Sequence, residues 1–216
     1  MGIERSTYKD HVIKYLYDGM RENRYRAGEK ILESHLAREL GISRAPIREA
    51  LADMVSSGLL VYRPQIGNFI ADPTAQEIID SYVARGVLEG FSVAQGIASF
   101  STDDLDRLEE MALKMEVYAR KGQRKALIDI GQMFHEQLFS HCTNSQIVLF
   151  TRQLSLKLHL LFYKHWSRLY SPDEIRDRHL NIVKTIRTKD PVKVERMIRE
   201  HYIETGQKIV AQETGN

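Results

Sequence analysis

Apolar side chains recur along most of this chain at a spacing of about 3.6 residues, the period of a helix with one buried face. From about Ser6 to Glu22, Tyr8, Val12, Tyr15, Leu16 and Met20 fall near one such face. Arg24 to Lys30 breaks the pattern and reads as a loop. A second helix is predicted from Glu33 to Leu40, burying Leu36, Ala37 and Leu40, with Gly41 as the left-handed residue that ends it. Ile42 plugs the turn and Ser43 is a natural N-cap for a third helix. Pro46 lies in that helix's first turn, where a missing N–H costs nothing. Ile47, Leu51 and Met54 face inward. The period then shortens to two: Leu60–Arg63 and Phe69–Ala71 alternate as strands around a short wing, Pro64 to Asn68.

Asp72-Pro73-Thr74 marks a boundary, proline stopping the strand and threonine capping the next helix. Beyond it only helical periodicity remains, over about 75–99, 103–120, 125–141, 146–166, 172–188 and 191–212. Breaks at Ser101-Thr102, Gly122, Thr143-Asn144, Ser171-Pro172 and Asp190-Pro191 are short, which implies an all-helical bundle. The expected fold is therefore mainly α: an N-terminal winged helix-turn-helix with a small β wing over 1–73, then an all-α bundle over 74–216. There is no internal repeat and no low-complexity tract.

Composition adds limits. Apolar residues make up 43%, enough for proper cores, and no stretch approaches the ~20 apolar residues of a membrane span. The first residues lack the apolar core of a signal peptide, and the single cysteine, Cys142, excludes an internal disulfide. Both point to the cytoplasm, with no membrane partner. Cys142 is expected as filler inside a helix. Net charge is +2, and residues 1–73 hold 11 Lys+Arg against 10 Asp+Glu. Affinity for nucleic acid would therefore come from where the cations sit rather than from bulk charge.

Their placement is telling. Arg44 and Arg48, four apart, leave the third helix on the side opposite its apolar residues, at its exposed N-terminal end. That end enters the major groove in helix-turn-helix proteins. A guanidinium fork can bond guanine O6 and N7 together or clasp a phosphate. Ser34 and Arg38 sit on the supporting helix, where phosphate contact is the natural role. One recognition helix reads too few base pairs, so a homodimer on a palindromic double-stranded operator is expected.

In the helical region, His179 and His201 each lie eleven residues from Asp190. In an antiparallel hairpin centred on that turn, the two imidazoles face each other. His135 lies beside the apolar stripe Leu127, Ile130, Phe134 and Leu138. Three imidazoles converging in a bundle suit Zn2+ or Ni2+ and leave positions for a ligand. Taken singly, each reads more readily as a hydrogen-bonded core histidine. No Glu-x-x-His pair occurs, which argues against a di-iron enzyme. Arg85 and Glu89 read either as an intrahelical pair or as an effector anchor, since the arginine fork matches a carboxylate. Tyr82 and Arg152 are further pocket candidates. His159, His165 and Trp166 read as bundle core and its edge.

The run from Tyr25 to Asp72 resembles the DNA-binding domain of the GntR family of bacterial transcription regulators. It carries Leu-Ala, Leu-Gly-Ile-Ser-Arg, Pro-x-Arg-Glu-Ala-Leu, Gly-Leu-Leu and a wing glycine. The resemblance implies operator contact by Ser43, Arg44, Arg48 and the wing around Gly67. The helical region is similar to the FCD ligand-binding domain of the FadR-type branch. That likeness rests on Arg85 with Glu89, Phe134-His135, Asn144, His179 before an Asp-Pro turn, and His201. It implies a metal held by His135, His179 and His201 together with an aspartate four residues before the first, a place taken by Gly131. Asp129 lies off the face of His135, and Gln132 offers only a neutral oxygen. Two outcomes stay open: a three-histidine site with water or effector in the vacant position, or an effector bound without metal. The expected function is a repressor released by a small organic acid, a small carboxylate if metal is present, a larger acid or acyl thioester if not. The rival is a metal-dependent hydrolase or lyase in the bundle with an accessory DNA-binding module.

Overall fold

A computed structural model describes residues 7–215, and the chain divides into two units, Met1–Pro73 and Thr74–Asn216. In the first, Thr7 and Asp10 form a capping box that starts α1 (Tyr8–Arg21), which buries Val12, Leu16 and Gly19. Tyr8, expected on that face, is 66% exposed, because the first turn extends past the core. α2 (Glu33–Leu40) ends on Gly41 in the left-handed conformation, φ 65°. Of its expected core residues Leu36 is buried, whereas Ala37 and Leu40 are half-buried. α3 (Arg44–Ser56) buries Ile47, Ala50, Leu51 and Met54. Ser43 occupies its N-cap position in extended conformation, but its side chain makes no capping hydrogen bond.

The sheet has one strand more than the sequence pattern predicts. β1 (Lys30–Ile31), β2 (Leu60–Arg63) and β3 (Gly67–Ile70) run antiparallel in the order β1-β3-β2. Lys30 pairs with Phe69 and Ile31 with Asn68. Gly28, at φ 76°, turns the chain so that its N–H donates to the Ile70 carbonyl at 3.0 Å. The Ile70 N–H returns the bond to the Glu29 carbonyl at 2.8 Å. Two residues are too few to show alternation, so β1 is held by backbone pairing and left no trace in the pattern.

The second unit contains, among the described residues, α4 (Ala75–Gly96), α5 (Thr102–Arg120), α6 (Arg124–Leu138), α7 (Ser145–Leu169), α8 (Pro172–Arg187) and α9 (Pro191–Thr214). Capping boxes at Thr74, Ser101 and Ser171, and side-chain caps from Asn144 and Asp190, start five of them. Each cap satisfies an otherwise orphaned N–H. A 3-10 turn, Ile97–Ser99, follows α4. α6 stops three residues short of expectation, so Cys142 lies in the following turn rather than inside a helix. Its thiol is 3.6 Å from the Asn144 carbonyl.

α4 and α9 share the most extensive helix–helix contact of the unit. Glycines make the close approach feasible. A Cβ at Gly90 would lie 2.8 Å from the Glu195 carbonyl oxygen, and one at Gly86 3.1 Å from Arg199 Cα. One at Gly206 would lie 2.8 Å from Tyr82 Cβ. Around this seam Leu108, Met115, Phe134, Leu138, Ile182 and Ile186 fill the core. No helix among the described residues is long and apolar enough to cross a membrane.

Gly90→Ala should lower stability by about 1–3 kcal/mol, since the facing atom is backbone and cannot turn aside. Gly131→Ala, whose Cβ meets nothing within 4 Å, should raise it by about 0.5–1 kcal/mol through helix propensity. Thermal melts of the two full-length variants check the contrast; melts that shift the same way refute it.

Candidate functional site

The α8–α9 hairpin turns at Asp190, whose side chain accepts from the Val192 and Lys193 N–H groups. With the turn fixed, His179 and His201 sit at matching distances from it, their ring centroids 5.0 Å apart. α6 brings His135 to 5.6 Å from His179 and 5.5 Å from His201. One nitrogen from each ring lies within 4.8 Å of the others. His179 is held edge-on against Phe134 at 4.9 Å.

Hydrogen bonds orient two of the rings. His179 Nδ1 lies 2.6 Å from the Ile175 carbonyl oxygen, and His135 Nδ1 lies 2.6 Å from Glu89 Oε1. Both facing oxygens accept, so each ring donates from Nδ1. Burial, and then the neighbouring His135, pushes the His179 pKa down to about 3. Burial, and then Arg178, pushes that of His201 well below its ordinary value. Both are therefore neutral near pH 7, the form that binds a metal. Three converging imidazoles, with a carboxylate behind one of them, fit Zn2+ or Ni2+.

Glu89 is fully buried. Burial alone would push its pKa up, but His135 and Arg85 outweigh that and hold it below the usual carboxylate value. Its Oε2 accepts from Arg85 Nη2 at 2.7 Å and from Tyr202 Oη at 2.9 Å. Arg85 Nη1 donates to the Thr151 carbonyl at 2.5 Å and to Ser155 Oγ. The intrahelical pair thus forms, and the guanidinium also donates to α7 and, through Nε, to Tyr202 of α9. Arg85 borders the cavity without a fork to spare for an effector carboxylate, and Glu89 stands behind His135 rather than in the cavity wall.

That cavity, about 90 Å3, opens beside the three rings. At ~15 Å3, near the least space a buried water needs, that is room for roughly six. Tyr82 lines it, its hydroxyl 3.3 Å from the Leu158 carbonyl. Gly131 and Gln132 line it too, the Gln132 amide donating to Glu136 at 2.8 Å. Arg152 does not: α7 turns Thr151 inward and leaves Arg152 exposed, outside the wall. Asp129 is likewise outside, 2.9 Å from Lys125. Sequence reasoning missed Ser155, Arg178 and Thr205, and it placed His159 in the core rather than the wall. Arg178 bridges α8 to α9 by donating to the His201 carbonyl at 2.8 Å, to Thr205 Oγ1 at 3.1 Å and to Glu204. Its guanidinium lies over the Tyr170 ring at 4.1 Å. Its neighbour His179 was the only signal in the sequence.

In the first unit, Ser34, Arg38, Ser43, Arg44 and Arg48 are all exposed. Arg44 and Arg48 lie outside the buried face of α3 formed by Ile47, Ala50, Leu51 and Met54. Arg48 Nε donates to Glu33 Oε2 at 2.9 Å, and Arg38 Nη2 lies 3.2 Å from His35 Nδ1. Gly67 is half-buried at the start of β3, with φ 120°, which favours glycine. Gln65 and Ile66 form the exposed hairpin tip.

Residues 8–70 match the family described as bacterial regulatory proteins, gntR family, and residues 80–204 match the FCD domain. The chain is 25% identical to the HTH-type transcriptional regulator YdhC of Bacillus subtilis over 179 residues, which is 82% of this chain and 80% of that protein. It is 23% identical to the HTH-type transcriptional repressor RspR of Escherichia coli over 84% of this chain and 80% of that protein. The fold is similar to the solved structure of Escherichia coli McbR/YncC, with a TM-score of 0.76 at 20% identity over 97% of this chain and all of that one. These relatives are regulators and not enzymes, which overturns the hydrolase or lyase reading. A winged helix-turn-helix matched by one domain and a histidine-bearing bundle matched by the other make this chain a member of the GntR family of DNA-binding transcription regulators, in the branch that carries an FCD domain.

Proposed function

We propose that this regulator is a cytoplasmic homodimeric repressor that binds a palindromic operator and releases it when a small organic acid enters the helical unit. The observation that carries the reading is the convergence of three imidazole nitrogens within 4.8 Å at the edge of a cavity. His135, His179 and His201 would hold Zn2+ or Ni2+, and the ion would supply a Lewis-acidic centre for a carboxylate. Nδ1 contacts to Glu89 and to the Ile175 carbonyl aim two of the rings, so little ordering remains when an ion arrives. The name of RspR, a transcriptional repressor, supports the direction of regulation.

Two features favour a dimer. Val87 and Phe91, one turn apart on α4, are exposed apolar residues, as are Leu149 and Phe150 on α7, which packs against α4. Exposed apolar patches of this kind mark interfaces. A two-fold pair of α3 helices would also read two half-sites, doubling the base contacts of Arg44 and Arg48 while Ser34, Arg38 and the wing at Gly67 track the backbone. The effector regulates only if it binds one arrangement of the dimer more tightly than the other.

Arg48→Ala should reduce binding to DNA selected by the wild-type protein by at least tenfold, with the thermal melt unchanged. Equal affinity in a gel shift would remove α3 as the reading helix. His179→Ala should abolish near-stoichiometric zinc or nickel in elemental analysis of untagged protein and leave DNA binding of the free protein intact. Metal retained at the wild-type level would reduce His179 to a core residue.

A further inference from the structure

We infer that the effector is an acid charged at one end only, with an apolar body. This rests on the metal-and-cavity reading of the helical unit and narrows it to one class of ligand. Three neutral imidazoles leave a bound dication's charge uncompensated, so the histidine end of the cavity attracts an anionic head. The rest of the wall offers nothing similar. Its charged side chains are Arg85 and Arg178, and each already has an acid partner, Glu89 at 2.7 Å and Glu204. A second carboxylate would enter without a cation to receive it.

Polarity falls along the wall. On α6 the cavity is bordered by His135, then Gln132 and Gly131, then Ile128 and Leu127. Eight residues of helix carry the wall about 12 Å from the histidine to Leu127. Gly131 sits midway and leaves a recess, since an added Cβ would find no atom within 4 Å. Met115 on α5 and Phe162 on α7 complete the apolar side. Several other polar groups in the wall are engaged with the protein itself: Tyr82 with the Leu158 carbonyl, Gln132 with Glu136, Ser155 with the Thr151 carbonyl, Tyr202 with Glu89 and Thr205 with the His201 carbonyl. A hydroxylated or doubly charged body would lose its water against these surfaces without replacement, whereas each buried methylene gains about threefold to fourfold in affinity.

Isocaproate and succinate test this, being nearly the same shape with an isopropyl group in place of one carboxylate. Calorimetry on the zinc-loaded full-length protein should show isocaproate binding at least tenfold tighter than succinate. Gly131→Leu, which fills the recess, should weaken isocaproate at least tenfold; zinc uptake measured on the same variant distinguishes a blocked cavity from a lost site. Succinate binding as tightly as isocaproate, or isocaproate binding unaffected by Gly131→Leu, overturns the inference. If the wild-type protein takes up no zinc, the metal reading fails on its own evidence. The same two acids are then titrated into the metal-free protein, where a retained preference for isocaproate supports the one-ended ligand and no binding of isocaproate overturns it.

Discussion

A fully buried carboxylate is the constraint around which the helical unit is arranged. Glu89 has no water to solvate it, so its charge requires partners placed by the fold. They come from its own helix as Arg85, from α6 as His135 and from α9 as Tyr202, while α7 takes up the remaining Arg85 donors through Thr151 and Ser155. Such an ion pair adds little net stability over an apolar pair of similar size. What it adds is geometry. Sliding any one of the four helices leaves a buried donor or acceptor unmet, and the ring that Glu89 positions is one of the three converging histidines.

The two units work by different physics. In the first, reactive groups stand out in solvent: arginines on the free face of α3 and a hairpin tip. Its order comes from a small core, Val12, Leu16, Leu36, Ile47, Leu51 and Met54, that holds short helices at fixed angles. In the second, the polar groups are gathered inward and matched to one another, leaving three imidazoles facing a cavity. An exposed arginine reads a ligand by reaching for it. A buried site selects by what it refuses to solvate.

Much of this was legible in the sequence because it is local. Long helices repeat their apolar residues, and capping residues at Thr74, Ser101, Asn144, Ser171 and Asp190 announce their starts. The meeting of His179 and His201 followed from counting away from one turn. What was missed depends on other parts of the chain. β1 exists through backbone bonds to β3, and two residues carry no period. Arg152 and Arg178 look alike as arginines within helices, yet the first faces solvent and the second reaches the cavity. Partners on α9, far along the chain, decide that difference. Likewise the Arg85–Glu89 pair reads the same from its spacing whether the rest of its fork is free or, as found, engaged by α7 and α9.

The glycine seam between α4 and α9 has a mechanical meaning. Most helix pairs touch through side chains, which change rotamer and absorb small displacements like a cushion. At Gly86 and Gly90 the neighbour is backbone, with no rotamer to turn. The two helices are therefore held at a close distance set by backbone. A displacement of α9 at Glu195 or Arg199 would meet the backbone of the helix that carries Glu89, with little side chain between them to take it up.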